Sequence, residues 1–178
     1  MPKNSKTQMK EDEKKILKEL LKNANLSVNE IADRLGFSRS KARRIIKNLE
    51  EDKTIWGYTA IIDKDKIGLK SYCILLKKAS VKVKESDLDI VINRDLIDVA
   101  KADGVDLDSE YFFNGVYDGQ IWVTAENVNQ VKRFINDMNN LIGSEYLKAT
   151  DILEVLLPLR ERGFNNPNLK QLKDYFSL

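Results

Sequence analysis

The stretch Ser27–Glu51 reads SVNEIADRLGFSRSKARRIIKNLEE, and it decides the fold of the N-terminal part of the chain. Val28, Ile31, Ala32 and Leu35 recur at i, i+3, i+4 and i+7, and so do Ala42, Ile45, Ile46 and Leu49. Each set makes one apolar stripe along a helix, which predicts helices over Val28–Leu35 and Arg39–Glu51. Ser27 and Glu30 form the Ser-x-x-Glu pattern in which side chain and backbone cap each other reciprocally. Gly36-Phe37-Ser38 separates the two stripes: glycine suits the positive φ of a tight turn, and Ser38 can cap the next helix. Two short amphipathic helices joined by a glycine-containing turn are a helix-turn-helix. Upstream, Ile16, Leu17, Leu20 and Leu21 share one face of a further helix expected over Glu11–Asn23, preceded by a flexible polar tail over residues 1–10.

If the stripes pack together, the opposite face of the second helix is left to solvent. From Ser38 to Asn48 that helix carries Arg39, Lys41, Arg43, Arg44 and Lys47 and no acid, and the acids begin at Glu50. Acids near a helix C-terminus oppose its dipole, so helix stability alone does not account for this distribution. It suits a helix whose first turns enter the major groove of double-stranded DNA, where arginine grips guanine edges and phosphates. The candidate DNA-contacting residues are therefore Arg39, Ser40, Lys41, Arg43, Arg44 and Lys47. Arg43 and Arg44 point about 100° apart, so one is expected to read a base while the other holds a phosphate. The competing reading is a solvated basic face on an ordinary helical bundle.

The charge balance favours a polyanion for the first part of the chain only. Residues 1–70 carry 17 Lys/Arg against 11 Asp/Glu, whereas residues 71–178 carry 13 against 17. The 178 residues are enough for one large or two small domains. There is no histidine, which removes His-based acid–base chemistry, Ser–His and Cys–His nucleophiles and the usual zinc sites. Cys73 is the lone cysteine, so no internal disulfide can form. No run of about 18 apolar residues is present, and Met1–Lys10 has no apolar signal-peptide core. These features predict a cytoplasmic protein with neither membrane span nor cofactor nor metal.

Lys53–Asp63 (KTIWGYTAIID) is rich in Ile, Trp, Tyr and Thr and predicts a strand, placed as the wing of a winged helix; residues 64–70 (KDKIGLK) read as a linker. The run Ile55-Trp56-Gly57-Tyr58-Thr59-Ala60-Ile61-Ile62-Asp63, followed by Ile67-Gly68, resembles the leucine-responsive/asparagine-responsive (Lrp/AsnC) regulators of archaea and bacteria. Asn114-Gly115-Val116-Tyr117-Asp118-Gly119-Gln120-Ile121-Trp122-Val123 resembles the Gly-x-Tyr-Asp segment of that family's effector domain.

Read by itself, the second part gives strand candidates at Ser71–Lys77, Glu110–Val116, Ile121–Ala125 and Glu145–Leu157. Helices are expected over Glu85–Ala102 and from Asn127 to Ile142, with Asp118-Gly119 as a tight hairpin turn. The order βαββαβ is the ferredoxin-like unit. The expected class is α+β: a winged helix-turn-helix domain over 11–63, a ferredoxin-like effector and oligomerisation domain over 71–158, and a C-terminal extension over 159–178. Helices cover one face of such a sheet, yet Ile74/Leu75, Phe112/Phe113, Ile121/Trp122 and Leu156/Leu157 place apolar side chains on both faces. The second face is expected to meet another copy, or else to pack under the C-terminal extension. The resemblance implies dimers through this sheet, assembled further into tetramers or octamers.

The resemblance also implies a small effector, usually an amino acid, held between effector domains at Gly115–Asp118 and at Thr150. Gly115 would allow close backbone approach and Asp118 would meet an α-ammonium group. The bland reading is that Gly115 and Asp118 shape a hairpin. Gly119 and Gln120 depart from the family pattern, in which an aromatic or apolar residue follows the aspartate. Asp103, Asp106, Asp108 and Glu110 form an acidic stretch read as a solvated loop or a cation site, and Leu169, Leu172 and Phe176 suggest a short amphipathic helix in the extension. The reading as a DNA-binding transcription regulator, not an enzyme, has two rivals. One is an enzyme on the same architecture, like the siroheme decarboxylases; the other is an architectural protein that coats DNA.

Overall fold

A computed structural model describes residues 3–82, 84–169 and 173, the side chains of residues 3–6, 86 and 87 excepted. The chain divides into two compact units. One is built on residues 3–61 with 161–164, and the other on residues 62–160 with 165–169.

The first unit holds α1 (Lys3–Lys22), α2 (Val28–Leu35) and α3 (Arg39–Glu51). The caps read from the sequence are in place. Ser27 Oγ accepts from the Glu30 N–H at 3.2 Å, while the Ser27 N–H donates to Glu30 Oε2 at 2.8 Å. Ser27, through its hydroxyl first and its backbone N–H second, holds the Glu30 carboxyl below the usual carboxylate range. Gly36 ends α2 at φ +65°, a left-handed conformation that costs a residue with a Cβ about 1–2 kcal/mol. Ser38 Oγ then accepts the Lys41 N–H at 3.2 Å and opens α3. Both stripes turn inward: Ile31 and Ala32 from α2 and Ala42, Ile45, Ile46 and Leu49 from α3 are buried against Ile16 of α1. Each buried isoleucine or leucine among them contributes about 1.5–3 kcal/mol of burial.

Two expectations change here. Residues 3–10 are the opening turns of α1, not a tail. Lys53–Asp63 forms no strand: α3 ends at Glu51, Lys53 follows at φ +63°, Ile55 packs on the helical core, and residues 56–63 carry no regular structure. High β propensity makes a strand only where a ladder partner exists, and none pairs with this segment among the described residues. Trp56 is 96% exposed.

The second unit holds β1 (Lys70–Lys78), α4 (Glu85–Ile92), α5 (Asp95–Ala102), β2 (Val105–Phe112), β3 (Gly119–Ala125), α6 (Val128–Ile142) and β4 (Leu147–Glu154); β5 (Arg160–Glu161) and β6 (Phe164–Asn165) form a short ribbon. The sheet order is β2-β3-β1-β4 with every neighbouring pair antiparallel, the expected ferredoxin-like arrangement. Tyr72 and Ile74 of β1, Ile121 and Val123 of β3 and Val105 of β2 face Leu96 and Ala100 of α5 and Val131, Phe134 and Met138 of α6. Asn127 caps α6, as expected, with its side chain accepting from Asn129 and Gln130.

The departures follow from local geometry. The helix expected over Glu85–Ala102 is two, redirected at Arg94 (φ +63°), so that Leu96 and Ala100 enter the core while Leu88, Val91 and Ile92 stay exposed. The linker expected over 64–70 is a single 3-10 turn (Lys64–Ile67) fixed to the sheet, because Lys64 Nζ donates to Asp108 Oδ2 at 2.6 Å and to Thr124 Oγ1 at 2.8 Å. The acidic stretch is a strand and not a loop, with Asp106, Asp108 and Glu110 on β2 and buried Asp103 ending α5. No group of three or more metal-ligating side chains is gathered among the described residues. The strand expected over Glu145–Leu157 is shorter, so Leu156 and Leu157 lie beyond it. Ile74/Leu75 and Ile121/Trp122 do divide between the faces: the isoleucines are sealed in the core, while half-buried Leu75 and Trp122 lie on the other face with Cys73 and Leu153. Leu169 is partly exposed, and Leu172 and Phe176 of the suggested tail helix lie outside the described residues.

Ser27→Ala removes an N-cap that also orients Glu30. It is expected to lower the stability of the first unit by about 1 kcal/mol in denaturant titration followed at the helical signal, with the second unit unmoved.

Candidate nucleic-acid interface

With Ala42, Ile45, Ile46 and Leu49 buried, the outward face of α3 is fixed by helix geometry. At about 100° per residue, Ser40, Arg44 and Lys47 lie nearest the centre of that face, Arg39 and Arg43 on one flank and Asn48 on the other. All six are exposed. Arg39, Arg43 and Arg44 enter no ion pair among the described residues, and Lys47 makes only an exposed i,i+4 pair with Glu51 at 3.4 Å. A pair of that kind contributes a few tenths of a kcal/mol and yields readily to a phosphate. The first turn of α3 holds no acid, so the positive end of its dipole adds to the cations instead of being neutralised.

Lys41 is the exception among the six expected contacts. Its side chain turns back along the helix: Nζ lies 2.7 Å from Asp12 Oδ2 on α1 and 4.1 Å from the centre of the Phe37 ring. Gln8 Nε2 donates to the other oxygen of the same carboxylate at 3.1 Å. The Lys41 hydrogen bond holds the Asp12 carboxyl below the usual carboxylate range, against the upward push of burial.

The second set of expected site residues sits at one end of the sheet. Gly119 and Thr150 both pair with Leu76 of β1, so the loop and Thr150 flank the same residue. The hairpin is wider than an Asp-Gly turn, because residues 113–118 connect β2 to β3. Asp118 organises that connection: its N–H donates to the Leu76 carbonyl at 2.9 Å, its carbonyl accepts from the Phe113 N–H at 2.7 Å, and its Oδ2 accepts from the Lys78 N–H at 2.8 Å. Tyr117 Oη donates to Asp151 Oδ2 at 3.0 Å, which raises the tyrosine's pKa and ties the loop to β4 beside Thr150. Gly115 has open space where a Cβ would stand, so no neighbour within the chain requires glycine there.

Residues 13–55 match the family model described as winged helix-turn-helix DNA-binding. An uncharacterized HTH-type transcriptional regulator of Pyrococcus abyssi is 26% identical over 145 residues, covering 81% of this chain and 91% of its own. An AsnC family transcriptional regulator from Agrobacterium tumefaciens superposes with TM-score 0.60 at 19% identity, covering 90% of this chain and 97% of its own. A transcriptional regulator from Neisseria meningitidis, solved in complex with L-methionine, gives TM-score 0.60 at 20% identity with the same coverages. The fold is that of the Lrp/AsnC regulators.

Within the Lrp/AsnC fold, sequence reasoning located the helix and the loop but missed several partners. Asp12 carried a usable signal: it stands one turn before Ile16 on the inward face of α1, where an acid needs a cation. Asn48 continues the exposed face of α3, and its amide suits an adenine edge. Tyr117 and Asp151 meet only through the pairing of β1 with β4 and left no mark in the sequence.

Because Arg44 is central and Arg43 lateral, their losses should differ. Arg44→Ala is expected to cost about 10–100-fold in binding to a selected DNA site and to relax base preference at one position. Arg43→Ala should weaken all sequences alike and flatten the salt dependence by about one phosphate. Competition binding with single-base variants of the site separates the two.

Proposed function

We propose that this chain is a sequence-specific, double-stranded-DNA-binding transcription regulator of the Lrp/AsnC type. The observation that supports it most directly is the outward face of α3, which offers Arg39, Ser40, Arg43, Arg44, Lys47 and Asn48 to solvent on a unit that matches a winged helix-turn-helix DNA-binding model. In this reading Arg44, Ser40 and Lys47 reach base edges while Arg39 and Arg43 hold phosphates on one flank. The site of action is the cytoplasm, alongside the chromosome; no helix among the described residues is long and apolar enough to cross a membrane.

The regulator acts as a homodimer or as a tetramer or octamer. Half-buried Leu75 and Trp122 and exposed Leu153 on the second sheet face favour this, since a monomer would leave them as an apolar patch. Two copies would present two α3 helices to successive major grooves. An amino-acid effector is placed at Gly115–Asp118 and Thr150, supported by the L-methionine complex of the Neisseria meningitidis relative and by the open space beside Gly115. Asp118 can serve it through Oδ1, which accepts no hydrogen bond among the described residues, while Oδ2 stays with Lys78.

Selection of duplexes from a randomised pool on the full chain tests the reading. The expected outcome is a recurrent two-fold symmetric site bound at least about 10³-fold more tightly than scrambled DNA at physiological salt. Binding without recurrent sequence would instead indicate a DNA-coating protein, and no binding at all would end the regulator reading. Trp122→Glu is expected to shift the sedimenting species toward monomer while the helical signal persists.

A further inference from the structure

Lys41 is the cation of α3 whose side chain, still 37% exposed, the fold ties to an acid of the neighbouring helix, and that acid is itself built in. Asp12 is buried on α1, and both of its carboxylate oxygens are engaged, Oδ2 by Lys41 and Oδ1 by Gln8. The Lys41 ammonium also lies over the face of Phe37, in the turn that precedes α3. Side chains on a helix lean toward its N-terminus, so this placement needs no unusual backbone; it needs an anion on the neighbouring helix, and Asp12 supplies it. Arg39, Arg43 and Arg44, within one turn of Lys41, have no such partner among the described residues.

We infer that Asp12 is a positioning residue for DNA binding: it holds Lys41 away from the phosphate backbone, so that α3 meets DNA with one cation fewer than its sequence carries. The inference rests on the DNA-binding reading of α3. Every lysine that reaches a phosphate adds affinity that any sequence supplies, and adds about 0.9 to the slope of log K against log salt. A cation that stays paired with Asp12 adds neither. The Asp12–Lys41 pair thereby removes one sequence-independent contact from the edge of the reading face and ties the first turn of α3 to α1. Asp12→Asn keeps the shape and the Gln8 contact and releases the ammonium; Asp12→Asn with Lys41→Met removes both charges together.

The test is a salt titration of full-length protein on a scrambled duplex and on a site selected by the wild type. Asp12→Asn is expected to steepen the slope on the scrambled duplex by about 0.9 and to raise affinity there several-fold, which narrows the preference for the selected site. The double variant is expected to keep the wild-type slope on both duplexes. A slope shallower by about 0.9 in the double variant would show that Lys41 touches phosphate in the wild type and would overturn the inference alone. So would an unchanged slope in a folded Asp12→Asn protein. Should that single variant fail to fold, the double variant, which leaves no buried charge unpaired, decides. Wild-type protein that binds neither duplex overturns the DNA reading itself, and the inference with it.

Discussion

The interface depends on one steric constraint: the left-handed turn at Gly36 between two capped helices. The turn fixes where α3 begins, and the Ser38 cap fixes its first hydrogen bond. Ala42, Ile45, Ile46 and Leu49 must then face Ile16 and Ile31. Once that stripe is buried, the direction of every other residue on α3 is set by helical geometry. The cations are outside because the aliphatics are inside. Moving the stripe by one residue would rotate the reading face by about 100° and replace its centre.

The second unit works by the same logic with a period of two. Alternation along β1 and β3 commits Tyr72, Ile74, Ile121 and Val123 to the helices and leaves Cys73, Leu75 and Trp122 for the opposite face. The 3-10 turn that precedes β1 is pinned by Lys64 to Asp108 and Thr124, so the second unit begins before its first strand. Asp118 shows how one residue can suit two readings. Its backbone and Oδ2 hold the β2–β3 connection in place, and Oδ1, which accepts no hydrogen bond among the described residues, is the atom proposed for an effector.

What was legible in the sequence is what depends on period and on local capping. The stripes of α2 and α3, the Ser27–Glu30 box, the Asn127 cap and the βαββαβ order follow from neighbours within about four residues in the chain. What was illegible depends on partners far away in sequence or on their absence. The β-rich run after Ile55 found no ladder partner and formed no strand. The helix expected over Glu85–Ala102 broke at Arg94, a residue with no intrinsic preference for positive φ. The acids at 106 and 108 read as a loop because their charge masked the alternation of Val105 and Leu107, and a register shift between Leu107 and Ser109 then breaks that alternation. At the candidate interface, five of the six residues chosen from sequence lie on the exposed face; the sixth, Lys41, was claimed by an aspartate twenty-nine positions earlier.

The central claim is that DNA meets the outward face of α3. Backbone chemical-shift mapping of isotopically labelled full chain, titrated with a selected duplex, tests it most directly. The largest perturbations are expected between Ser38 and Asn48, with the sheet strands little changed. Perturbations confined to the second unit, with α3 silent, would contradict it.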